Sequence, residues 1–142
     1  TGLETLALRM ERHCSNALAV AQWLQKHPKV VGVNYAGLTD SPYHATARRI
    51  CGGRASGILS FELKGGIEAG MRFIDALQLI YRLVNIGDAK TLACHPASTT
   101  HRQLNDEELA RAGVPAGLVR LSIGIEDVDD ILADIEQALA QA

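Results

Sequence analysis

Leu118-Val-Arg-Leu-Ser-Ile-Gly-Ile-Glu126 decides how this chain is read. Val119, Leu121, Ile123 and Ile125 point one way and Arg120 and Ser122 the other, the two-residue period of a half-buried strand. A guanidinium within an apolar strand needs a partner, because an unpaired buried charge is strongly unfavourable. Its planar fork matches a carboxylate through two parallel hydrogen bonds. Arg120 therefore either pairs with an acid inside the fold or holds a ligand anion. Spacing leaves both open, and structural ion pairs are the commoner outcome.

Downstream, a helix follows Glu126. Asp127, Asp129 and Asp130 suit the positive end of its dipole, and Val128, Ile131, Leu132, Ile135 and Leu139 form its apolar face. Upstream, Asn105 with Glu108 makes a capping box for a short helix that ends at Gly113 and Pro115. Before it lies a polar segment, His95 to His101. Cys94, His95 and His101 lie too close together for good zinc geometry and lack a fourth ligand. No G-x-S-x-G elbow accompanies Ser98, so Ser98, Thr99 and Thr100 read as structural hydrogen-bonding groups. Thr91 to Cys94 is short and extended, and Leu83 to Asp88 leaves a strand-like run for a turn.

Further out, Ile67, Met71, Ile74, Leu77 and Ile80 mark an amphipathic helix. Ser56 to Leu63 reads as a strand with Leu59, Phe61 and Leu63 on one face. Lys64-Gly65-Gly66 lacks the full spacing of a nucleotide-binding loop and reads as a strand-to-helix turn. Ser41-Pro42 precedes a short helix from Tyr43 to Ile50, closed by Cys51-Gly52-Gly53. Val30 to Tyr35 is a strand. At the start, Thr1 and Glu4 fit a capping box. Leu3, Leu6, Ala7, Met10, Cys14, Ala17, Leu18, Ala21 and Leu24 then trace one helical face, ending near Lys26 ahead of His27-Pro28.

The length of 142 residues fits one domain, and 47% apolar residues supply a core. A net charge of −2 with scattered basic residues gives no electrostatic footprint for nucleic acid. No apolar run reaches the length of a membrane span. Cys14, Cys51 and Cys94 form no C-x-x-C and read as reduced thiols of a cytoplasmic protein. The element order implies an α/β (two-layer α+β) domain, a small sheet with helices packed on one face behind a long first helix.

Three blocks carry a resemblance: Val84-Asn-Ile-Gly-Asp-Ala-Lys-Thr-Leu92, His95-Pro-Ala-Ser-Thr-Thr-His-Arg-Gln-Leu104, and Leu118 to Asp127. With Ser60-Phe-Glu-Leu-Lys-Gly-Gly66, they resemble the C-terminal small domain of the cysteine/methionine-metabolism enzymes that use pyridoxal phosphate, of fold type I. The O-acetylhomoserine sulfhydrylase branch is closest. Gly2 to Met10 is similar to the start of that family's interdomain helix. The resemblance implies a mostly antiparallel sheet, a joining helix over 1–27 and a small C-terminal domain over 28–142.

It also implies roles. Arg120 would bind the substrate's α-carboxylate, Asn85 would lie beside it, and Thr100 would orient the guanidinium. Asn85, where related γ-lyases typically carry serine, favours the sulfhydrylase branch. The enzyme so implied replaces the acetate of O-acetyl-L-homoserine with sulfide or a thiol, giving homocysteine or methionine. It works as a cytoplasmic homo-oligomer, a tetramer at full length.

The family's Ser-x-Thr-Lys-type segment with the Schiff-base lysine does not occur here, nor do its phosphate-binding loop and ring-stacking aromatic. Lys26, Lys29, Lys64 and Lys90 stand in other contexts. The expectation is a piece of a larger enzyme that contains no catalytic, cofactor-binding or metal residue, holds no cofactor and is inactive alone. Within the family, O-succinylhomoserine sulfhydrylase, cystathionine γ-synthase and the methionine and cystathionine γ-lyases are the alternatives. Outside it, the alternative is a free-standing regulatory module that binds an amino acid at Arg120.

Overall fold

The computed structural model describes residues 1–99, 101, 103 and 105–142. Among them, five strands make one mixed sheet in the order β1-β2-β5-β4-β3. These are β1 (Val30–Asn34), β2 (Ile58–Leu63), β3 (Tyr81–Arg82), β4 (Leu92–Cys94) and β5 (Leu118–Ser122). The Arg120 strand is central. It runs antiparallel to β2, with Leu59 opposite Leu121 and Ser60 opposite Arg120. On its other side it runs antiparallel to β4, with Cys94 opposite Arg120. β1 pairs antiparallel with β2. The one parallel pair is β3 with β4, and residues 83–91 must leave the sheet and return to make it, since strands paired in parallel need a crossover.

The helices are α1 (Leu6–Leu24), α2 (His44–Ile50), α3 (Gly66–Ala76), α4 (Asp106–Arg111) and α5 (Val128–Gln141). The alternation read in β2 and β5 buries Leu59, Phe61, Leu63, Val119, Leu121 and Ile123 against helices. Ala17, Val20 and Leu24 of α1, Phe73 and Ile74 of α3, and Ile131, Ile135 and Leu139 of α5 complete this core. Phe61 and Phe73 meet edge to face with centroids 5.6 Å apart. Each such side chain removed from water stabilises the fold by ~1.5–3 kcal/mol. Ala97, Leu109 and Val114 form a smaller cluster around α4.

Several boundaries differ from the expected ones. Helix α1 begins at Leu6 with Thr5 at its N-cap and no side-chain cap bond. Thr1 instead accepts from the Glu4 N–H through its backbone carbonyl, so the expected capping box does not form. Leu3 and Leu8 are 83% and 70% exposed. The buried stripe starts only at His13, because the first turns have no sheet beneath them.

On α3 the inward face is Ala69, Gly70, Phe73 and Ile74, while Met71 faces outward. This helix stops at Ala76, and past Leu77 the N–H groups of Gln78, Leu79 and Ile80 go to the Asp134 carboxylate instead of to helical carbonyls. The Asn105–Glu108 capping box forms reciprocally, at 2.9 and 3.0 Å. Asp127 caps α5 by accepting from the Asp129 N–H.

Candidate functional site

With helices on one face, the other face of the sheet carries the polar positions of the strands. Strand pairing aligns Asn34, Ser60, Arg120 and Cys94 in one row across β1, β2, β5 and β4. A depression of about 300 Å³ lies on this row, lined by Asn34, Tyr35, Ile58, Ser60, Pro96 and Arg120. Burial pushes the Tyr35 phenol up to about 12 against the opposing pull of its bond with Ser56; its hydroxyl donates to the Ser56 carbonyl at 2.8 Å.

Arg120 is half-buried. Its Nη2 donates to the Asn85 carbonyl at 3.4 Å, and among the described residues no carboxylate lies within ion-pair distance of it. Acids of the crossover, and of the turn and helix that follow β5, are committed elsewhere. Glu126 accepts from the N–H and hydroxyl of Thr91 at 2.6 and 2.8 Å, Asp134 holds the three N–H groups after α3, and Asp88 pairs with Lys90 at 3.1 Å. The internal partner that spacing favoured is thus absent among the described residues. A guanidinium in a concave wall of neutral groups is complementary to an anion, and its fork to a carboxylate.

The other site residues named from the sequence fare differently. Asn85 meets Arg120 through its backbone, and its side chain turns to accept from the Ile86 N–H at 2.8 Å. Thr100 lies outside the described residues. Ser60, Asn34 and Tyr35 were not singled out from the sequence. The alternation of β2 does put Ser60 opposite the core face, but its neighbour across the sheet is not readable from one strand.

His95 is buried, and both ring nitrogens are engaged. Nε2 donates to the Ala116 carbonyl at 2.8 Å, which leaves Nδ1 to accept from the Ser98 hydroxyl at 2.8 Å. Thr99 donates through its hydroxyl to the His95 carbonyl. This ring therefore offers no lone pair to a metal, and it fixes Ser98 and the 3₁₀ turn Pro96–Ser98 at the foot of β4.

Pyridoxal phosphate requires a lysine amine and a cradle for its phosphate. Lys29 donates to the carbonyls of Leu139 and Ala142 at the end of α5, Lys64 to the Pro28 carbonyl, and Lys90 pairs with Asp88. No lysine lines the Arg120 depression. The described residues do not fit this cofactor.

A family model described as Cys/Met metabolism PLP-dependent enzyme matches residues 1–140. The chain is 57% identical over 139 residues to an O-acetyl-L-homoserine sulfhydrylase of Leptospira meyeri, covering 97% of this chain and 31% of that protein. It is 51% identical to an L-methionine gamma-lyase of Pseudomonas putida, covering 97% and 34%. Among solved structures, an O-acetylhomoserine (thiol)-lyase of Campylobacter jejuni superposes with a TM-score of 0.90 at 48% identity, covering 98% of this chain and 33% of that one. That protein carries an N'-pyridoxyl-lysine-5'-monophosphate. The chain spans about a third of the length of the curated relatives it matches.

Proposed function

The chain belongs to the Cys/Met metabolism PLP-dependent enzyme family, and from that premise we propose that it is the substrate-carboxylate-binding small domain of an O-acetylhomoserine sulfhydrylase. The observation that carries this reading is Arg120, a half-buried guanidinium on the central strand with a single backbone contact and no acid beside it among the described residues. In this reading Arg120 grips the α-carboxylate of O-acetyl-L-homoserine, with Asn85 at the rim and Thr100 orienting the guanidinium. Residues 1–27 join the domain to a larger N-terminal one, and 28–142 form the small domain. The larger domain holds pyridoxal phosphate, which supplies the electron sink for replacing acetate by sulfide or a thiol. This chain contributes binding and orientation only. The whole enzyme is a cytoplasmic homo-oligomer.

The test is Arg120→Lys in the full-length enzyme. An ammonium cannot reproduce the fork, and a charge-assisted hydrogen bond contributes ~1.5–3 kcal/mol, so KM for O-acetyl-L-homoserine should rise roughly 10- to 100-fold. Unchanged kinetics would remove the carboxylate role. Consumption of sulfide with release of acetate supports the sulfhydrylase assignment. Breakdown of methionine to a keto acid and a thiol, without acetate-dependent synthesis, would move it to the γ-lyases.

A further inference from the structure

The segment 83–91 crosses from β3 back to β4 and passes over Arg120 at Asn85. It is not held by the core: Leu83, Val84 and Ile86 are 53%, 55% and 74% exposed. Two carboxylates, by contrast, hold the chain that leads into β3 ahead of it and the segment's own exit. Ahead of β3, Asp134 of α5, 6% exposed, accepts the N–H groups of Gln78, Leu79 and Ile80 at 2.8 to 2.9 Å, and β3 then pairs with β4 up to the Leu83 N–H, which donates to the Ala93 carbonyl. The side chain of Gln137 donates to the same carboxylate.

At the exit, Glu126 takes both the N–H and the hydroxyl of Thr91, whose hydroxyl oxygen in turn accepts from the Gly124 N–H at 2.8 Å. The Ile125 N–H donates to the Ala89 carbonyl. The approach is close enough that a Cβ on Gly124 would collide with the Ala89 carbonyl and the Glu126 carboxylate. Between these anchors the chain bears on the site through the contact from Arg120 to the Asn85 carbonyl.

We propose that Asp134 and Glu126 are positioning residues for Arg120, Asp134 by holding the chain that enters β3 and Glu126 by holding the exit of the crossover, whose Asn85 carbonyl sets the guanidinium. This rests on the reading of Arg120 as the carboxylate-binding group. Both acids belong to the last helix and the turn that leads into it. That helix therefore does more than cover the sheet: through the crossover it bears on the guanidinium of the opposite face.

The test is a set of double-mutant cycles in the full-length enzyme. Glu126→Gln and Asp134→Asn each remove one acceptor from an anchor at nearly constant shape. Each should raise KM for O-acetyl-L-homoserine about three- to tenfold, with kcat within about twofold, the range typical of couplings carried through a network. In an Arg120→Ala background neither should add anything, because the group they position is gone. Inhibition by 3-aminopropyl acetate, the substrate without its carboxylate, should be unchanged in both variants. Amide exchange should quicken over 83–90 and stay the same in β5.

Where Glu126→Gln does not accumulate, Thr91→Val removes the hydroxyl from the same anchor and should give the same pattern. Effects that persist undiminished in the Arg120→Ala background, weakened inhibition by 3-aminopropyl acetate, or unchanged exchange over 83–90 would overturn the positioning role while leaving Arg120 as the carboxylate group. An Arg120→Ala enzyme with wild-type KM would overturn both.

Discussion

Tyr35 shows how a single side chain ties the rim of the site to the fold. Its ring is buried beside the depression, and its hydroxyl donates to the Ser56 carbonyl at the approach to β2. With its pKa raised to about 12, the neutral phenol is the form the fold favours. A raised folded value means the stabilisation is complete below the unfolded value of about 10 and is lost as pH climbs through 12. The stability of the native chain relative to a Tyr35→Phe variant should thus hold up to about pH 10 and fall from there to about 12. Denaturant titrations of both proteins across that range check this, and a constant difference would count against it. Arg120 was legible because its own strand announces it. His95 was legible only as a polar oddity: that both its nitrogens are spoken for depends on Ser98 and on Ala116, the latter 21 positions away.

At the scale of elements, what the sequence disclosed was local. The capping box at Asn105 and Glu108 and the alternation of β5 need only a few neighbouring residues; the box appears as read, while the alternation holds from Leu118 to Leu121 and the strand, read on to Glu126, ends at Ser122, itself 3% exposed. The burial of α1 and the stop of α3 do not follow from their own periodicity. The apolar residues of the first turns of α1 fit the pattern but meet nothing, whereas two polar ones, His13 and Asn16, are buried. They clamp the connection from β5 to α5: His13 Nδ1 donates to the Ile123 carbonyl at 2.6 Å, and Asn16 Nδ2 to the carbonyls of Gly124 and Glu126 at 3.2 and 2.9 Å. Asp134 likewise looks like an ordinary helical acid until residues 54 to 56 positions away supply its partners. Asn16→Leu, which leaves both carbonyls without their donor, should lower stability by ~1–3 kcal/mol. A urea midpoint within error of the parent's would sink that account.

For the whole molecule, the mismatch between core and surface matters most. One face of the sheet is well covered, yet Leu3, Leu8, Val84 and Ile86 remain more than half exposed, and exposed apolar surface of this kind marks contact regions. The 142-residue chain in isolation should therefore self-associate as its concentration rises, read by light scattering on a sizing column. A strictly monomeric mass at millimolar concentration would contradict this.

The strand order carries a consequence of another kind. β5 is the last strand in the chain and the middle one in space, bridging the β1–β2 pair to the β4–β3 pair. A ribosome delivers both flanks before the piece that joins them. During synthesis the two halves wait as unconnected edges, each able to pair with a stranger. The sheet closes only when residues 118–122 have cleared the exit tunnel, so the Arg120 pocket comes into being in one step, late, or not at all.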